Sequence, residues 1–418
     1  MKKKYKKILV GMSGGVDSSV AALLLQKEGY EVSGVFIDFI GGEKSERDFQ
    51  KAKKIADKLK ISIDKIDARE IFQKEIIDKF VADYKKGITP NPCVFCNPEM
   101  KFKILIDEAD RRGVSYISTG HYARVMEHES LSMEQGKQDT RYKIQDTNKF
   151  QSLNLELKTN DHSPHLLFNS PSAPPLKLRA TRGQRGGEDD CFGLSKARDD
   201  SKDQSYFLYR LTQDQLSRII FPLGDYLKSE VRKIAEENNF GIKSEEESQD
   251  VCFIADNDFN KFISKQLANK PGKIVDNLGK VLGKHKGLHF YTIGQRKGIN
   301  LGGDGPYFVV KKDLANNNLV VANNFTESLW RDEFEIKDVS WINLELSPSL
   351  ASDRLEAKVK IRYRTEEIYA IISEVKVKEG ADKIYKVKLD QPQKAITSGQ
   401  SAVFYSKEGE VLGGGIIV

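Results

Sequence analysis

One stretch constrains this chain more than any other: Gly11-Met12-Ser13-Gly14-Gly15-Val16-Asp17-Ser18-Ser19, set between the apolar strand Lys7 to Met12 and the helical run Val20-Ala21-Ala22-Leu23-Leu24-Leu25. Glycines let a backbone come close to an anion where a Cβ would clash. N–H groups at the start of a helix, with the Ser18 and Ser19 hydroxyls, then supply donors to phosphate. No Gly-Lys-Ser/Thr follows, so this is not a Walker loop. A strand, a glycine loop and a helix in that order open an α/β fold.

The alternation continues. Tyr30 to Phe39 reads as a second strand, Phe49 to Lys60 as a helix, Ile61 to Ile66 as a third strand and Ile71 to Tyr84 as a helix. Phe102 to Arg112 is then helical and Tyr116 to Thr119 a strand. Such alternation implies a doubly wound, mostly parallel sheet. Ligands of these sheets sit beyond the C-terminal ends of the strands, which directs attention to the loops there. From about Asp146 to Asp200 the pattern fails: a proline cluster (Pro171, Pro174, Pro175) and the polar run Arg182 to Asp190 suggest a disordered insertion, with Cys191 inside it. After Phe259, short β segments with turn glycines indicate two small β-rich domains, the last a β-barrel. The expected domains are therefore residues 1–258, carrying the insertion at 146–200, then 259–332 and 333–418.

Composition narrows the setting. With 418 residues, 39% hydrophobic and 31% charged, the chain reads as globular, and its net charge of +6 permits a polyanionic partner without requiring one. No run of 18 apolar residues occurs, so no membrane helix is expected. The basic start Met1 to Lys7 leads into too short an apolar stretch for a signal peptide, which makes the cytoplasm the default compartment.

Four cysteines are too few for a disulfide scaffold. Cys93 and Cys96 form a C-x-x-C pair held by Pro90 and Pro92, and Cys252 lies between Val251 and Phe253, a setting common for buried core cysteines. A zinc site would need a fourth ligand, for which His121 is the nearest choice. Three thiolates with one open position suit either persulfide chemistry or an iron–sulfur cluster with a free iron.

With these motifs placed, nearly the whole chain outside the insertion resembles the bacterial tRNA-specific 2-thiouridylase (MnmA) family of PP-loop ATP-pyrophosphatases, whose catalytic domain is adenine nucleotide α-hydrolase-like. The resemblance is carried by GMSGGVDSSVAALLL, TPNPCVFCN, ISTGHYAR, KDQSYFL, FPLGDYLKSEVRKIA, SQDVCFI, YTIGQRKG, KIRYR, GQSAVFY and LGGG. It implies a tRNA sulfurtransferase. ATP held at Gly11, Met12, Ser13, Gly14, Gly15, Val16, Asp17 and Ser18, with Ile37 and Gly120 flanking the adenosine, would adenylate the C2 carbonyl of the wobble uridine (position 34). Asp17 would help to hold Mg²⁺. A sulfur-relay protein fed by a cysteine desulfurase would load Cys252 as a persulfide, and Cys96 would be the nucleophile that releases the sulfur and can end in a disulfide with Cys252. Asn91, Pro92 and Cys93 would meet the target base, with His121, Lys202, Asp203, Gln204, Arg362, Tyr363 and Gln400 as further contacts to the tRNA anticodon region. A monomer is expected.

Three departures stand out. Cys93 replaces the aspartate that many members carry, which raises a [4Fe–4S] cluster on Cys93, Cys96 and Cys252 as an alternative route for the same reaction. The segment after the second strand is shortened to Phe39-Ile40-Gly41-Gly42, and Ser398 stands where a proline is usual. Rival readings are an amidating ligase of the same superfamily, which would need an ammonia source and no paired cysteines, and a tRNA-binding protein without catalysis.

Overall fold

The computed structural model describes residues 6–128, 191–241, 251–254, 258–302, 306–322, 329–342, 354–375 and 382–418. The first part of the chain runs β1 (Lys7–Gly11), α1 (Val16–Lys27), β2 (Glu31–Asp38), α2 (Gly42–Leu59), β3 (Ile63–Asp67), α3 (Arg69–Phe72) and α4 (Asp78–Lys85). It continues through α5 (Cys93–Cys96), α6 (Lys103–Arg111), β4 (Tyr116–Ser118), β5 (Arg124–His128), β6 (Cys191–Ser195), α7 (Gln213–Leu216), β7 (Ile219–Ile220) and α8 (Lys228–Glu237). Strands β3-β2-β1-β4-β7 form one sheet, and each neighbouring pair in it is parallel.

Two helices show how sequence sets burial. In α1 every residue from Ser18 to Leu25 is buried, so the helix needs no amphipathic stripe and its unbroken apolar run is the mark of a helix enclosed on all sides. In α2 only Ser45, Ala52, Ile55 and Ala56 are buried, while its charged residues face outward. That helix starts at Gly42, earlier than the apolar pattern alone indicates, because its first turns are polar and lie on the outer face.

Downstream, α9 (Phe259–Gln266) leads into β8 (Gly272–Val275), β9 (Val281–His285), β10 (Phe308–Asp313) and β11 (Asn318–Ala322), a small sheet in the order β10-β11-β8-β9. Six further strands follow: β12 (Trp330–Trp341), β13 (Leu355–Lys360), β14 (Ile368–Val375), β15 (Ile384–Lys394), β16 (Ser401–Tyr405) and β17 (Glu410–Ile417). Their order β12-β15-β14-β13-β16-β17 closes through pairing of β12 with β17, giving an antiparallel barrel. Alternating burial along β13 and β15 fills its interior with Ala357, Val359, Tyr385, Val387 and Leu389. The doubly wound sheet and the terminal barrel are as expected from the sequence.

The expected insertion is too long at its C-terminal end. Residues 146–190 lie outside the described residues, but Cys191–Ser195 is strand β6, paired with β5 and with β17 of the barrel. The physical reason is a short run, Phe192-Gly193-Leu194-Ser195, whose Leu194 is fully buried in the main core. The polar tract before it conceals that run. Among the described residues, no helix is long and apolar enough to cross a membrane.

Candidate active site

The glycine–serine loop follows β1 directly. Its serines are spent on shaping it: Ser13 N donates to Ser18 Oγ at 3.1 Å, and the Ser18 and Ser19 hydroxyls donate to Gly15 O at 3.2 and 2.9 Å. No side chain caps the start of α1 at Gly15. The first-turn N–H groups are therefore left for an anion, in keeping with the positive end of the helix dipole. Gly14 adopts φ +80°, and a Cβ there would stand 2.3 Å from Asp48 O. Gly120, just beyond β4, crosses the loop so closely that a Cβ would meet Ser18 N at 2.6 Å and the Asp17 carbonyl carbon at 2.7 Å. Ile37, in β2, packs half-buried against the main core.

Asp17 is not idle. Its Oδ1 accepts from Tyr122 Oη at 2.8 Å, and the Lys228 ammonium reaches both carboxylate oxygens at 2.7 and 2.9 Å. A magnesium ion on Asp17 would have to displace that ammonium.

The three expected cysteines lie at one site. Cys93 and Cys96 are three residues apart in α5 and share one helix face. The helix then widens into a π segment, Asn97–Phe102, with Pro98 at its start. Pro98 has no N–H to give, so the regular ladder cannot pass through it. Cys252 is exposed, while the next two residues, Phe253 and Ile254, are buried in the cluster that holds Cys96 and Met100. Phe253 is clasped edge-on by Phe80 at 5.2 Å and Phe72 at 5.8 Å, which anchors the segment that carries Cys252 near Cys93 and Cys96. Ser248, Gln249 and Asp250 of the same segment lie outside the described residues.

All four cysteines are free. Burial pushes the Cys93 thiol up to about 11 and Cys96 up to about 12, and desolvation raises Cys252 as well. The Lys101 ammonium opposes burial at all three. Lys101 is itself held: Nζ donates to Asn97 Oδ1 at 3.0 Å and lies 3.3 Å from His121 Nε2. An ammonium can only donate, so Nε2 accepts and the imidazole proton sits on Nδ1, facing Thr119 Oγ1 at 2.7 Å. Burial, then Lys101, hold His121 well below the usual histidine range, which keeps it neutral.

These contacts join the two halves of the site. Gly120 touches the phosphate loop, and the next residue, His121, reaches the lysine that faces the thiols. Lys101 and Lys228 are not legible as functional in the sequence, where lysine is abundant. The spacing of Lys101, five residues after Cys96 on a helix, is the signal it offers.

Other expected residues turn out to be built into the fold. Asp203 is buried, and its carboxylate accepts from Ala197 N at 3.0 Å and from Ser205 N and Oγ at 3.2 and 2.7 Å. Gln204 exchanges two hydrogen bonds with the Tyr122 backbone. Arg362 turns inward to the carbonyls of Lys394 and Ala395. Tyr363 packs on Phe207 with ring centroids 4.5 Å apart, and the Phe207 carbonyl accepts from Asn97 Nδ2. Gln400 Nε2 donates to Thr89 O at 2.8 Å, which ties the barrel to the segment leading into Asn91, Pro92 and Cys93. The Asn91 side chain lies beside the buried Tyr206 hydroxyl, which donates to Ser401 O at 2.9 Å. Lys202 is half-buried beside them in sequence. Among the described residues, no three of Cys, His, Asp and Glu are arranged to hold a metal ion.

The pH dependence of thiol reactivity follows. A thiol titrating near 12 is only about 10⁻⁴ ionised at pH 8. In the free protein, Cys252 is expected to be alkylated by iodoacetamide first, and Cys96 slowly, with a rate that climbs about tenfold per pH unit up to pH 10 and beyond. Mass spectrometry of protein treated between pH 7 and 10 measures this, and fast labelling of Cys96 at pH 7 would contradict it.

Comparison with known proteins agrees over the whole length. The tRNA methyl transferase HUP domain family matches residues 6–173 and 179–256, the tRNA methyl transferase PRC-barrel domain 260–323, and the aminomethyltransferase beta-barrel domain 331–417. A tRNA-specific 2-thiouridylase MnmA of Treponema denticola is 38% identical over 422 residues, covering 98% of this chain and 97% of its own. That of Methylibium petroleiphilum is 38% identical over 439 residues, covering 100% and 99%. Among solved structures, the U34-tRNA thiolase NcsA from Methanococcus maripaludis with its [4Fe-4S] cluster matches 28% of this chain and 39% of its own at 23% identity, with a TM-score of 0.22, too slight a likeness to bear on the chemistry.

Proposed function

We infer the reaction from one premise: this chain belongs to the tRNA-specific 2-thiouridylase family. It is a tRNA sulfurtransferase that makes 2-thiouridine with ATP. The name of the matching domain family speaks of methyl transfer, but a loop built to receive phosphate and a cluster of thiols suit activation and sulfur transfer. The observation that carries the reading is the contact sequence Gly120–His121–Lys101, which places the phosphate loop and the thiols in one site.

The C2 oxygen of the wobble uridine attacks the α-phosphorus of ATP, pyrophosphate leaves, and the oxygen becomes part of a good leaving group. ATP lies along Gly11 to Ser18, with Ile37 and Gly120 at the adenosine. Cys252, exposed on its apolar anchor, receives sulfur as a persulfide from a sulfur-relay protein or a cysteine desulfurase. The terminal persulfide sulfur bonds to C2 and AMP departs with the electron pair of the broken C–O bond. Cys96 then bonds to the Cys252 sulfur, the older S–S bond breaks, and its electron pair stays with the sulfur on C2. The product is 2-thiouridine and a Cys96–Cys252 disulfide that an external thiol must reduce.

Burial of Cys96 keeps it from attacking early, and the Lys101 ammonium supplies the field that favours anionic sulfur once substrate is bound. In this reading Asn91, Pro92 and Cys93 meet the base. Asp203, Gln204 and Arg362 support the tRNA surface from within, leaving direct contact to Lys202, Tyr363 and their neighbours. The catalytic work falls within residues 1–258, and the barrel braces the base-binding segment through Gln400.

The test is nucleoside analysis of tRNA treated with the protein, ATP and a sulfur source. Formation of 2-thiouridine, dependent on ATP, is expected. Pyrophosphate release without any thionucleoside in the presence of a competent sulfur donor would refute the reading.

A further inference from the structure

We propose that Lys228 is a phosphate-positioning residue of the ATP site, which neutralises Asp17 while the loop is empty and counters the charge of the polyphosphate when it is filled. Lys228 is the first residue of α8, yet its ammonium is turned away from solvent and fully into the phosphate loop, against both oxygens of Asp17. Its side chain is only 9% exposed. Burying a lysine in this way is costly, and a well-packed apolar pair would serve stability at least as well. The bonded geometry is held from several sides. Asp199 Oδ2 accepts from Lys228 N at 2.8 Å, fixing the start of α8. The Tyr122 hydroxyl shares Asp17 Oδ1, and the ammonium lies 5.7 Å from the centre of the Tyr122 ring.

The electrostatics explain why a cation is wanted here. Asp17 stands in the first turn of α1, where the helix N-terminus would attract the phosphates of ATP. Its own negative charge would repel them. An ammonium bound to it cancels that repulsion, and it lies within reach of anything seated on the loop. Breaking the bond between the α-phosphorus and the oxygen bridging to the β-phosphate leaves an extra negative charge on pyrophosphate. A cation already in place stabilises that charge without rearrangement. A Walker loop carries its lysine within the loop itself; here the charge would come from a helix far later in the chain.

The proposal rests on ATP being the ligand of this loop, and it is tested by binding alone, without tRNA or sulfur, so it stands or falls apart from the thiolation reading. Calorimetric titration of Lys228→Gln with ATP and with adenosine is compared with the unaltered protein and with Lys228→Arg. Lys228→Gln is expected to weaken ATP by at least about tenfold, while adenosine stays within about twofold and Lys228→Arg recovers most of the ATP affinity. Unchanged ATP affinity in Lys228→Gln would overturn the proposal. Equal loss of ATP and adenosine would also overturn it, since that marks a strut and not a phosphate contact. If Lys228→Gln does not fold, Asp17→Asn/Lys228→Gln is compared with Asp17→Asn alone, and the same selective loss of ATP must appear between those two.

Discussion

Replacing Cys252 with serine should abolish 2-thiouridine formation, by on the order of 10³-fold or more, because a hydroxyl can neither carry a persulfide nor attack as one. The fold should be untouched: Cys252 as a residue is exposed, serine is of similar size, and the anchoring falls to Phe253 and Ile254. The serine variant should still bind ATP and, with tRNA, release up to about one pyrophosphate per active site before stalling. Cys96→Ser should differ in kind. Sulfur could still reach C2, but its release from Cys252 would fail, leaving tRNA linked to the protein through that sulfur. Mass spectrometry of the stalled mixture distinguishes the two, and full thiolation by Cys252→Ser would refute the relay assignment.

The second large effect concerns backbone proximity. Gly120→Ala should weaken ATP binding and slow thiolation about 100-fold, since a misplacement near 1 Å costs an oriented site that much in rate. The added methyl would meet backbone atoms of Asp17 and Ser18, which cannot swing aside as a side chain could. Gly14→Ala combines a φ of +80° with a Cβ 2.3 Å from Asp48 O, so it should both destabilise the loop and displace α2. Gly29→Ala is the control. It shares the positive φ, at +88°, but nothing lies within 4 Å of its would-be Cβ. It should cost about 1–2 kcal/mol of stability and leave ATP binding alone. Thermal melts with and without ATP read both quantities.

The alternation of strand and helix is legible in the sequence because parallel strands buried on both faces are apolar throughout, as Ile8-Leu9-Val10 is. The phosphate loop is legible because glycine and serine in that order serve few other purposes. Residue type, however, says nothing about direction. Arg362 and Asp203 look like surface contacts, yet both point inward and satisfy the backbone. Lys101 and Lys228 look like two of many surface lysines, and become distinctive only when Asn97, His121 and Asp17 are seen to hold them. The strand at Cys191–Ser195 is hidden for a related reason. Its partner β17 lies far away in the chain, and no local pattern announces a pairing of that range.

That strand also bears on how the molecule could be altered. His128 and Cys191 are opposite residues of the β5–β6 ladder, so two positions far apart in the sequence are neighbours in the fold. Whatever connects them, the ladder sees only a closed loop, and each doubling of loop length adds about 0.6 kcal/mol of closure entropy. Because β6 is secured on its far side by β17, the hairpin does not depend on a tight turn for its register. The position is thus a tolerant splice point, where an engineer could graft a foreign segment between two strands whose pairing is secured elsewhere.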